Sequence, residues 1–552
     1  MDKNCEIGET MTKKNGLFIG IIALLLIVVG AYFWANAIMD SLMNYRSPLA
    51  ENPPISMGAG GEALTRRVVI VLVDALREDT ALDPQVMPFL DELRQKAAWA
   101  IMHSQAPSYS APGWTTILTG AWPDINDSQP VNPPDENSVR TFIQEDIFAA
   151  ADRAGLKTAV SGFTWFEQML ANSGVDAGFY TSGEDNSADV DVLQAALPWL
   201  ESGEYSLVLI HLDQLDYAGH HEGGPRDANW AAAAGRVDAM LRSIVSSLDL
   251  EKDTLIVTSD HGQIDRGGHG GQDPITLVEP FVMIGAGAIS GQYADIEMVD
   301  IAPTVAALLG TTIPASNQGR GLTEMLALTD EQEAAFNGAL LTQQDQLLQN
   351  YQEAMGADAE DGASSAASAM RSIRIQRLNS ERLPRLVIAV VLALIPAILL
   401  YRKRSRNMVW LLGGAGITLL IFNLIYAVIM GKTYSLSSLA SANDFIFSTA
   451  IYSGISFLIA WCVTMLSLKG FSNTPSSAAQ TSLNFTFITL YLLALPILWN
   501  FYRNGVLITW TLPEFGSMFL GFLAILQSMF VAILGLLLIS ISTMIAFLKK
   551  KN

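Results

Sequence analysis

The sequence predicts an α/β domain built on a mostly parallel sheet with helices on both faces, joined to an α-helical transmembrane bundle. Three observations lead there. Between Arg66 and Ala327, apolar runs of strand length alternate with helical patterns, which implies parallel strands with helices on both faces. A long apolar run precedes this region, and five more follow it between Leu386 and Leu548. Charged residues are only 16% of the 552, against 50% hydrophobic, a balance unusual for a soluble protein. A chain of this length exceeds one core, so at least two domains are required.

The elements follow in order. Residues 1–16 are expected to be a cytoplasmic N-terminus, with Lys13 and Lys14 next to an apolar run. That run, Leu17–Ile38 (residues 17–38), is long enough to cross a bilayer and reads as an uncleaved anchor. The competing reading is a signal peptide cleaved near Ala35-Asn36-Ala37; both readings export the domain that follows. Residues 39–65 read as a flexible linker, rich in Pro, Gly and Ala from Tyr45 onward. Its Gly58-Ala59-Gly60-Gly61 lacks the Lys-Ser/Thr that would make a phosphate loop.

Within 66–327, strands are predicted at Val68–Val73, Leu207–Leu212, Leu255–Ser259 and Phe281–Ile284. Helices are predicted at Val86–Ala98, Val190–Leu200 and Ala228–Leu248. Residues 328–385 read as a stalk and linker: a Gln-rich polar helix over Asp330–Met355, then a small, acidic, mobile stretch over Gly356–Ala369. Residues 386–548 form the bundle, with spans at Leu386–Tyr401, Met408–Met430, Phe445–Leu468, Leu483–Tyr502 and Phe519–Leu548. Residues 549–552 are a cytoplasmic tail. With Lys13 and Lys14 inside, alternation also places Arg402-Lys403-Arg404, Lys469 and Lys549-Lys550-Lys551 inside, and the α/β domain outside. The basic run Arg371–Arg385 then falls outside and reads as an interfacial segment along the outer headgroups.

Charge and cysteine content narrow the function. A net charge of −21 argues against a nucleic-acid partner, since polyanions need basic surfaces. Cys5 and Cys462 lie far apart in the chain, so no structural disulfide is expected.

Histidine placement points to chemistry. Of six histidines, five (His211, His220, His221, His261 and His269) fall in one short window, interleaved with Asp213, Asp216 and Asp260. Neutral imidazoles and carboxylates at short spacings are what a metal site requires. Asp74, Asp213, Asp216 and Asp260 each follow a predicted strand, and in parallel sheets ligands gather beyond the carboxyl ends of strands. Asp216 and His220 are four residues apart. Ser110, in Pro107-Ser-Tyr-Ser110-Ala-Pro112, sits in a turn that opens a helix. There it can act as an ordinary N-cap or meet an anion and a metal as a nucleophile. The glycines of Gly267-Gly268-His269-Gly270-Gly271 would let backbone approach the ligands.

These segments, in this order, resemble the alkaline phosphatase superfamily. The resemblance is to its phosphodiesterase branch, the nucleotide pyrophosphatase/phosphodiesterases and the GPI ethanolamine-phosphate transferases. It covers roughly Val68 to Leu322 and includes Val299–Gly310, which resembles a structural signature of the family. The resemblance implies an alkaline-phosphatase-like fold and two divalent metal ions, zinc or alternatively manganese. One would be held by Asp74, Asp260 and His261 with Ser110 as hydroxyl ligand and nucleophile, the other by Asp216, His220 and His269. His211 would lie behind the ligands, and His221 would be a solvated neighbour.

An N-terminal anchor, an outward catalytic domain and a C-terminal bundle also resemble the GPI ethanolamine-phosphate transferases. That implies a phosphoester substrate, lipid-linked or a headgroup, handled by hydrolysis or transfer beside membrane lipid. Two departures matter. The pyrophosphatase branch has Asn where Gly113 stands, which counts against nucleotide pyrophosphatase activity. Trp114 stands where a sulfatase has Arg, which counts against a sulfatase. A non-catalytic membrane protein with a phosphatase-like head is the remaining alternative. The oligomeric state is not legible in the sequence.

Overall fold

The computed structural model describes residues 2–58, 60–358, 365–402, 405–439, 441–470 and 474–551. Ala59, Lys403, Arg404 and residues 359–364 of the small acidic stretch lie outside the described residues. So do the side chains of Cys5, Lys13, Lys14, Lys550 and Lys551.

One sheet organises the α/β domain. Its strands are β1 (Arg67–Val73), β2 (Ala98–His103), β3 (Thr158–Phe163), β4 (Ala177–Thr181), β5 (Leu207–Leu212), β6 (Asp253–Thr258), β7 (Val278–Gly285), β8 (Gly291–Gln292) and β9 (Ile296–Glu297). The order is β4-β3-β5-β1-β6-β7-β2-β8, with β9 also on β2. β1 lies at the centre, parallel to β5 and β6; Leu72 stands level with His211 on one side and Thr258 on the other.

β1 is apolar from Val68 to Val73 because both its faces are covered. Val68, Ile70 and Leu72 pack into one core with Trp114, Phe148 and Ile301. Val69, Val71 and Val73 pack into the opposite core with Leu215, Trp230 and Ile244. The Val299–Gly310 stretch supplies the buried helix Ile301–Leu309 to the first core.

The sheet is mostly parallel, as the sequence predicts, with one strand reversed. β7 is antiparallel to both β6 and β2. The physical reason is the connection. Residues 259–277 hold only the short turn Pro274–Thr276, not the crossover helix that a parallel return needs.

Two expectations for local structure are corrected. The helix expected over Val86–Ala98 is shorter, Pro88–Arg94, and Ala98 begins β2. β2 alternates buried and half-buried residues, the period-2 pattern of a strand, and pairs with β7. β3 was not anticipated because Thr-Ala-Val-Ser-Gly-Phe carries little apolar signal. It is held by burial and by Ser161 Oγ donating to Val192 O at 2.8 Å.

Among the described residues, six helices are long and apolar enough to cross a membrane: Asn15–Met43, Ala366–Arg402, Arg406–Ile429, Ala442–Ser467, Pro475–Asn504 and Phe515–Lys549. They expose large apolar side chains, as lipid-facing helices must, including Leu26, Leu420, Phe447 and Leu537. Between them, Trp461 Nε1 donates to Ser482 Oγ at 3.0 Å, and Ser482 Oγ donates to Ser542 Oγ at 3.1 Å. The basic stretch Arg371–Arg385 does not lie apart along a surface: it is continuous with its span in one helix, Ala366–Arg402. The 39–65 segment is also partly docked, with Tyr45 and Leu49 fully buried.

Candidate active site

β3, β5, β1 and β6 run parallel, so their carboxyl ends share one edge. Asp74 leaves β1 there, followed by Ala75 at φ 61°, a left-handed turn that swings the chain away. His211 sits on β5 itself and points its Nε2 at Asp74 Oδ2, 3.0 Å away. Asp260 and His261 follow β6. Asp260 Oδ1 accepts the backbone N–H of Ala75 at 3.2 Å and of His261 at 3.0 Å. His261 Nε2 lies 3.4 Å from Asp74 Oδ1 and 3.6 Å from Asp260 Oδ2. Neither Asp74 Oδ1 nor Asp260 Oδ2 has a hydrogen-bond partner, although both are buried.

Ser110 is the first residue of the helix Ser110–Thr119, and Tyr109 takes the cap position without a side-chain bond. Its Oγ lies 3.3 Å from His261 Nε2. It therefore does not serve as the cap that was the alternative to a nucleophile. Asn132, which sequence reasoning missed, reaches in from a separate loop. Its Nδ2 donates to Ser110 Oγ at 3.4 Å, and its Oδ1 accepts the Ala111 N–H at 3.1 Å.

The remaining ligand candidates form the mouth of the site. Asp216 and His220 share one face of the helix Gln214–His221, with His220 Nε2 3.4 Å from Asp216 Oδ2. His269 arrives from the β6–β7 loop. Its Nε2 lies 3.0 Å from His220 Nε2 and 3.6 Å from Asp216 Oδ1. The rings of His261 and His269 stack at 3.9 Å, linking the two halves. Among the described residues, three groups bring one ligand atom from each member close together: Asp216/His220/His269, Asp74/Asp216/His261 and Asp74/His211/Asp213. All seven sequence-selected site residues thus converge. Asp213 approaches through the third group, whereas His221 is exposed and faces Tyr217.

The electrostatics explain what the cluster lacks. Burial, then the neighbouring Asp260 and Asp216, pushes Asp74 well above the usual carboxylate range. Burial pushes Asp260 up to about 7. Burial also opposes ionisation of Asp216, but His220, His269 and His261 outweigh it and hold the carboxyl down to about 2. Burial lowers the imidazoles, His261 to about 4 and His269 to about 3, so both are neutral near pH 7. His261 Nδ1 faces Gly262 O at 3.1 Å and His269 Nδ1 faces Ser108 O at 3.0 Å. Each Nδ1 then carries the proton, which leaves Nε2 as a lone pair aimed into the site. Crowded carboxylates, unpartnered oxygens and converging lone pairs form a donor set with no cation of its own, and divalent metals fit it.

Supporting residues were also invisible in the sequence. Asp189 accepts the backbone N–H of Asp213 at 2.8 Å and of Gln214 at 3.2 Å, pinning the start of the Asp216 helix. Gln263 donates to Asp216 Oδ1 at 2.5 Å and accepts the Gly268 N–H at 3.1 Å, tying the two ligand-bearing loops together. Neither stands in a recognisable pattern. Gly113 has a direct physical reason: a Cβ there would lie 2.8 Å from Asp260 O, so no larger residue, Asn included, fits unshifted. Trp114 is buried behind the site, stacked on Phe166 at 4.3 Å and edge-on to His211 at 4.7 Å. The two nearby arginines are engaged elsewhere. Arg77 binds Asp79 and Asp265, and Arg266 donates to Met430 O at 2.6 Å.

That last contact belongs to a larger junction. The stretch Met430–Leu439, in a connector of the bundle, lies on the His269 loop. Gly271 N–H donates to Ser437 Oγ at 3.1 Å, and Gln272 N–H to Ser435 Oγ at 3.2 Å. A Cβ at Gly271 would lie 1.6 Å from Ser435 Oγ, and one at Gly268 would lie 2.4 Å from Ser437 O. These two glycines therefore admit the bundle, rather than bringing backbone to the ligands as expected. Ala106 and Tyr109, on the loop that presents Ser110, pack against the cluster containing Leu436, Phe445 and Phe515.

Comparison with known proteins agrees with the motif order. Residues 68–270 match the model of the type I phosphodiesterase / nucleotide pyrophosphatase family. This segment is similar to a type I phosphodiesterase / nucleotide pyrophosphatase domain. It holds every residue of the site described above. The chain is 26% identical over 289 residues to the human GPI ethanolamine phosphate transferase 3, catalytic subunit, covering 47% of this chain and 26% of that protein. It is 25% identical over 339 residues to GPI ethanolamine phosphate transferase 2 of Aspergillus fumigatus, covering 56% of this chain and 43% of that one. The chain thus spans about a quarter to two-fifths of the length of these relatives. Among solved structures, the alkaline phosphatase PafA is matched at 12% identity over 48% of this chain and 99% of that one, with a TM-score of 0.40. Human ectonucleotide pyrophosphatase / phosphodiesterase 5 is matched at 14% identity over 48% of this chain and 100% of that one, with a TM-score of 0.39.

Proposed function

We propose that this protein is a membrane-anchored, two-metal phosphodiesterase or phosphotransferase. It acts on a lipid-linked or headgroup phosphoester through a phosphorylated Ser110. One observation carries the reading: Ser110 Oγ faces His261 of the carboxylate–imidazole cluster, and the loop that presents it packs directly against the membrane bundle. A soluble substrate would not require that seating, whereas a lipid headgroup at the bilayer surface would be presented to it.

In this reading Asp74, Asp260 and His261 hold one divalent ion beside Ser110, and Asp216, His220 and His269 hold the other. Zinc suits the donors, and manganese is the alternative. Bound ions supply positive charge to the phosphate oxygens and favour the ionised serine. The chain does the rest. Ser110 Oγ forms a bond to phosphorus as the bond to the leaving alcohol breaks, and that oxygen departs with the electron pair and is protonated. Water or a second hydroxyl then attacks phosphorus, and Oγ leaves and regains its proton. The Ser110 backbone N–H, in the first helical turn, has no intrahelical partner and can donate to an equatorial oxygen. Asn132 holds the serine hydroxyl and the next amide in register. Hydrolysis and transfer share the first half-reaction.

The catalytic domain is read as extracytoplasmic. Lys469 lies in the connector between spans at the end of the bundle opposite the α/β domain, as the positive-inside rule requires. The test is turnover by the full-length protein in nanodiscs, comparing bis(p-nitrophenyl) phosphate, p-nitrophenyl phosphate and p-nitrophenyl sulfate. The diester is expected to give the highest kcat/KM, because the two arginines near the ligand motifs, Arg77 and Arg266, are committed elsewhere among the described residues. A phosphomonoester or sulfate ester turned over faster than every diester tried would overturn the reading.

A further inference from the structure

In the orientation proposed above, the basic run Arg371–Arg385 falls on the side of the membrane where the charge rule does not call for it. Its helix, the end of the helix Pro475–Asn504 and the connector to Phe515 enclose a cavity of about 240 Å³. Arg374, Arg382, Arg385 and Arg503 line it, against only two carboxylates, Glu381 and Glu514. Arg385 is paired with Glu381 at 2.6 Å, and Arg374 with Asp124 at 2.9 Å. Arg382 has no carboxylate partner among the described residues; its Nε donates to Arg503 O at 3.2 Å. The Nε of Arg374 is buried without a hydrogen-bond acceptor, and that of Arg503, also without one, lies 3.7 Å from Glu514 Oε2, so Arg382 is the guanidinium left with no carboxylate to balance it. Unsatisfied guanidinium donors around an open cavity call for an anion.

The depth of the cavity indicates which anion. Arg385 is followed at once by the apolar run from Leu386, and Arg503 directly follows Tyr502 at the end of another span. Trp499, Tyr502 and Trp510 surround this level, with Arg377 over the Trp510 ring at 4.3 Å. Tryptophan and tyrosine concentrate where membrane meets water, so the arginines lie at headgroup height. We propose that this cavity binds the phosphate of an anionic membrane phospholipid, at a site that shares no residue with the one around Ser110. The surplus of positive charge favours a headgroup of net negative charge over a zwitterionic one. The inference is independent of the chemistry at Ser110.

The test is native mass spectrometry of the full-length protein in detergent, titrated with dioleoylphosphatidylglycerol, dioleoylphosphatidylcholine or inorganic phosphate. Phosphatidylglycerol is expected to bind at concentrations where phosphatidylcholine does not. The double variant Arg382→Gln/Arg503→Gln should weaken it roughly ten-fold or more. Arg382→Lys/Arg503→Lys should keep most of the affinity, and Arg402→Gln, at the far end of the same helix, should keep all of it. If the double variant does not fold, Arg382→Gln alone gives the same comparison, since it loses a single backbone contact. Equal binding of the two lipids, or unchanged phosphatidylglycerol affinity in a folded glutamine variant, would refute the proposal. Binding of inorganic phosphate with no preference between lipids would mark a free-phosphate site instead, and would refute it too.

Discussion

Replacing Gly113 by alanine tests whether the nucleophile helix and the Asp260 strand end are in direct register. The added Cβ would lie 2.8 Å from Asp260 O and 2.9 Å from Asp260 Cβ. Ordinary contact starts near 3.4 Å, so one side must retreat by about 0.6 Å. Neither side yields easily. Gly113 is buried within a helix, and Asp260 is anchored by the Ala75 and His261 amides.

Overpacking of this kind costs about 1–3 kcal/mol, which for a domain of this size lowers Tm by roughly 3–10 °C. The shift falls on a residue proposed to hold the metal next to Ser110. Misplacement by about 1 Å can cost ~100-fold in rate, so roughly ten-fold in kcat is expected here. The assay combines diester turnover, metal per chain by elemental analysis and Tm of the full-length protein. Gly338→Ala is the control, because a Cβ at that exposed helix position meets nothing within 4 Å. It should be neutral or stabilising by up to about 1 kcal/mol. A Gly113→Ala protein with wild-type Tm and kcat would show that the contact is not tight and the register argument is wrong.

Ser110→Ala should lower turnover by at least ~1000-fold with Tm nearly unchanged, and phosphorylated Ser110 should be trappable by mass spectrometry in the parent protein. Near-normal turnover in the alanine variant would make water the direct attacker. Chelation should abolish activity, and His269→Ala should remove about half of the bound metal while His221→Ala leaves it intact. Activity that survives chelation in metal-free protein rules out the two-metal reading. Asp146 gives a pH test away from the site: burial holds its carboxyl up to about 6, from an ordinary 3.8. The native state therefore binds the proton more tightly than the unfolded chain, and stability falls as pH rises from about 4 to 6. About 2 pH units at 1.36 kcal/mol each is roughly 3 kcal/mol, so Asp146→Asn should gain on the parent across that window. Parallel Tm–pH profiles for the two proteins would contradict it.

Sequence alone determined the features that local chemistry dictates. The run Leu207–Leu212 is a strand with those bounds because a strand covered on both faces is apolar along its length, with His211 the one polar residue, turned toward Asp74. Asp330–Met355 is a helix with those bounds because Thr329 and Gln332 form a capping box and Gly356 takes a left-handed C-terminal turn. The acids that end β1 and β6 were legible as neighbours because parallel strands bring their carboxyl ends to one edge. Tertiary structure decided what depends on partners far away in the chain. The direction of β7 followed from a connection too irregular to cross the sheet. β3, with Thr158, Ser161 and Gly162, is a strand because its neighbours bury it, and Gly162 is required because a Cβ there would lie 2.6 Å from His211 Cβ. Asn132, Asp189 and Gln263 carry no periodicity or spacing that marks them; each acts through a hydrogen bond to a residue more than twenty positions away. The docking of Ser435 and Ser437 onto the His269 loop is the furthest from the sequence. A serine in a connector between two membrane helices looks like any other, until folding closes a separation of 166 residues between Gly271 and Ser437.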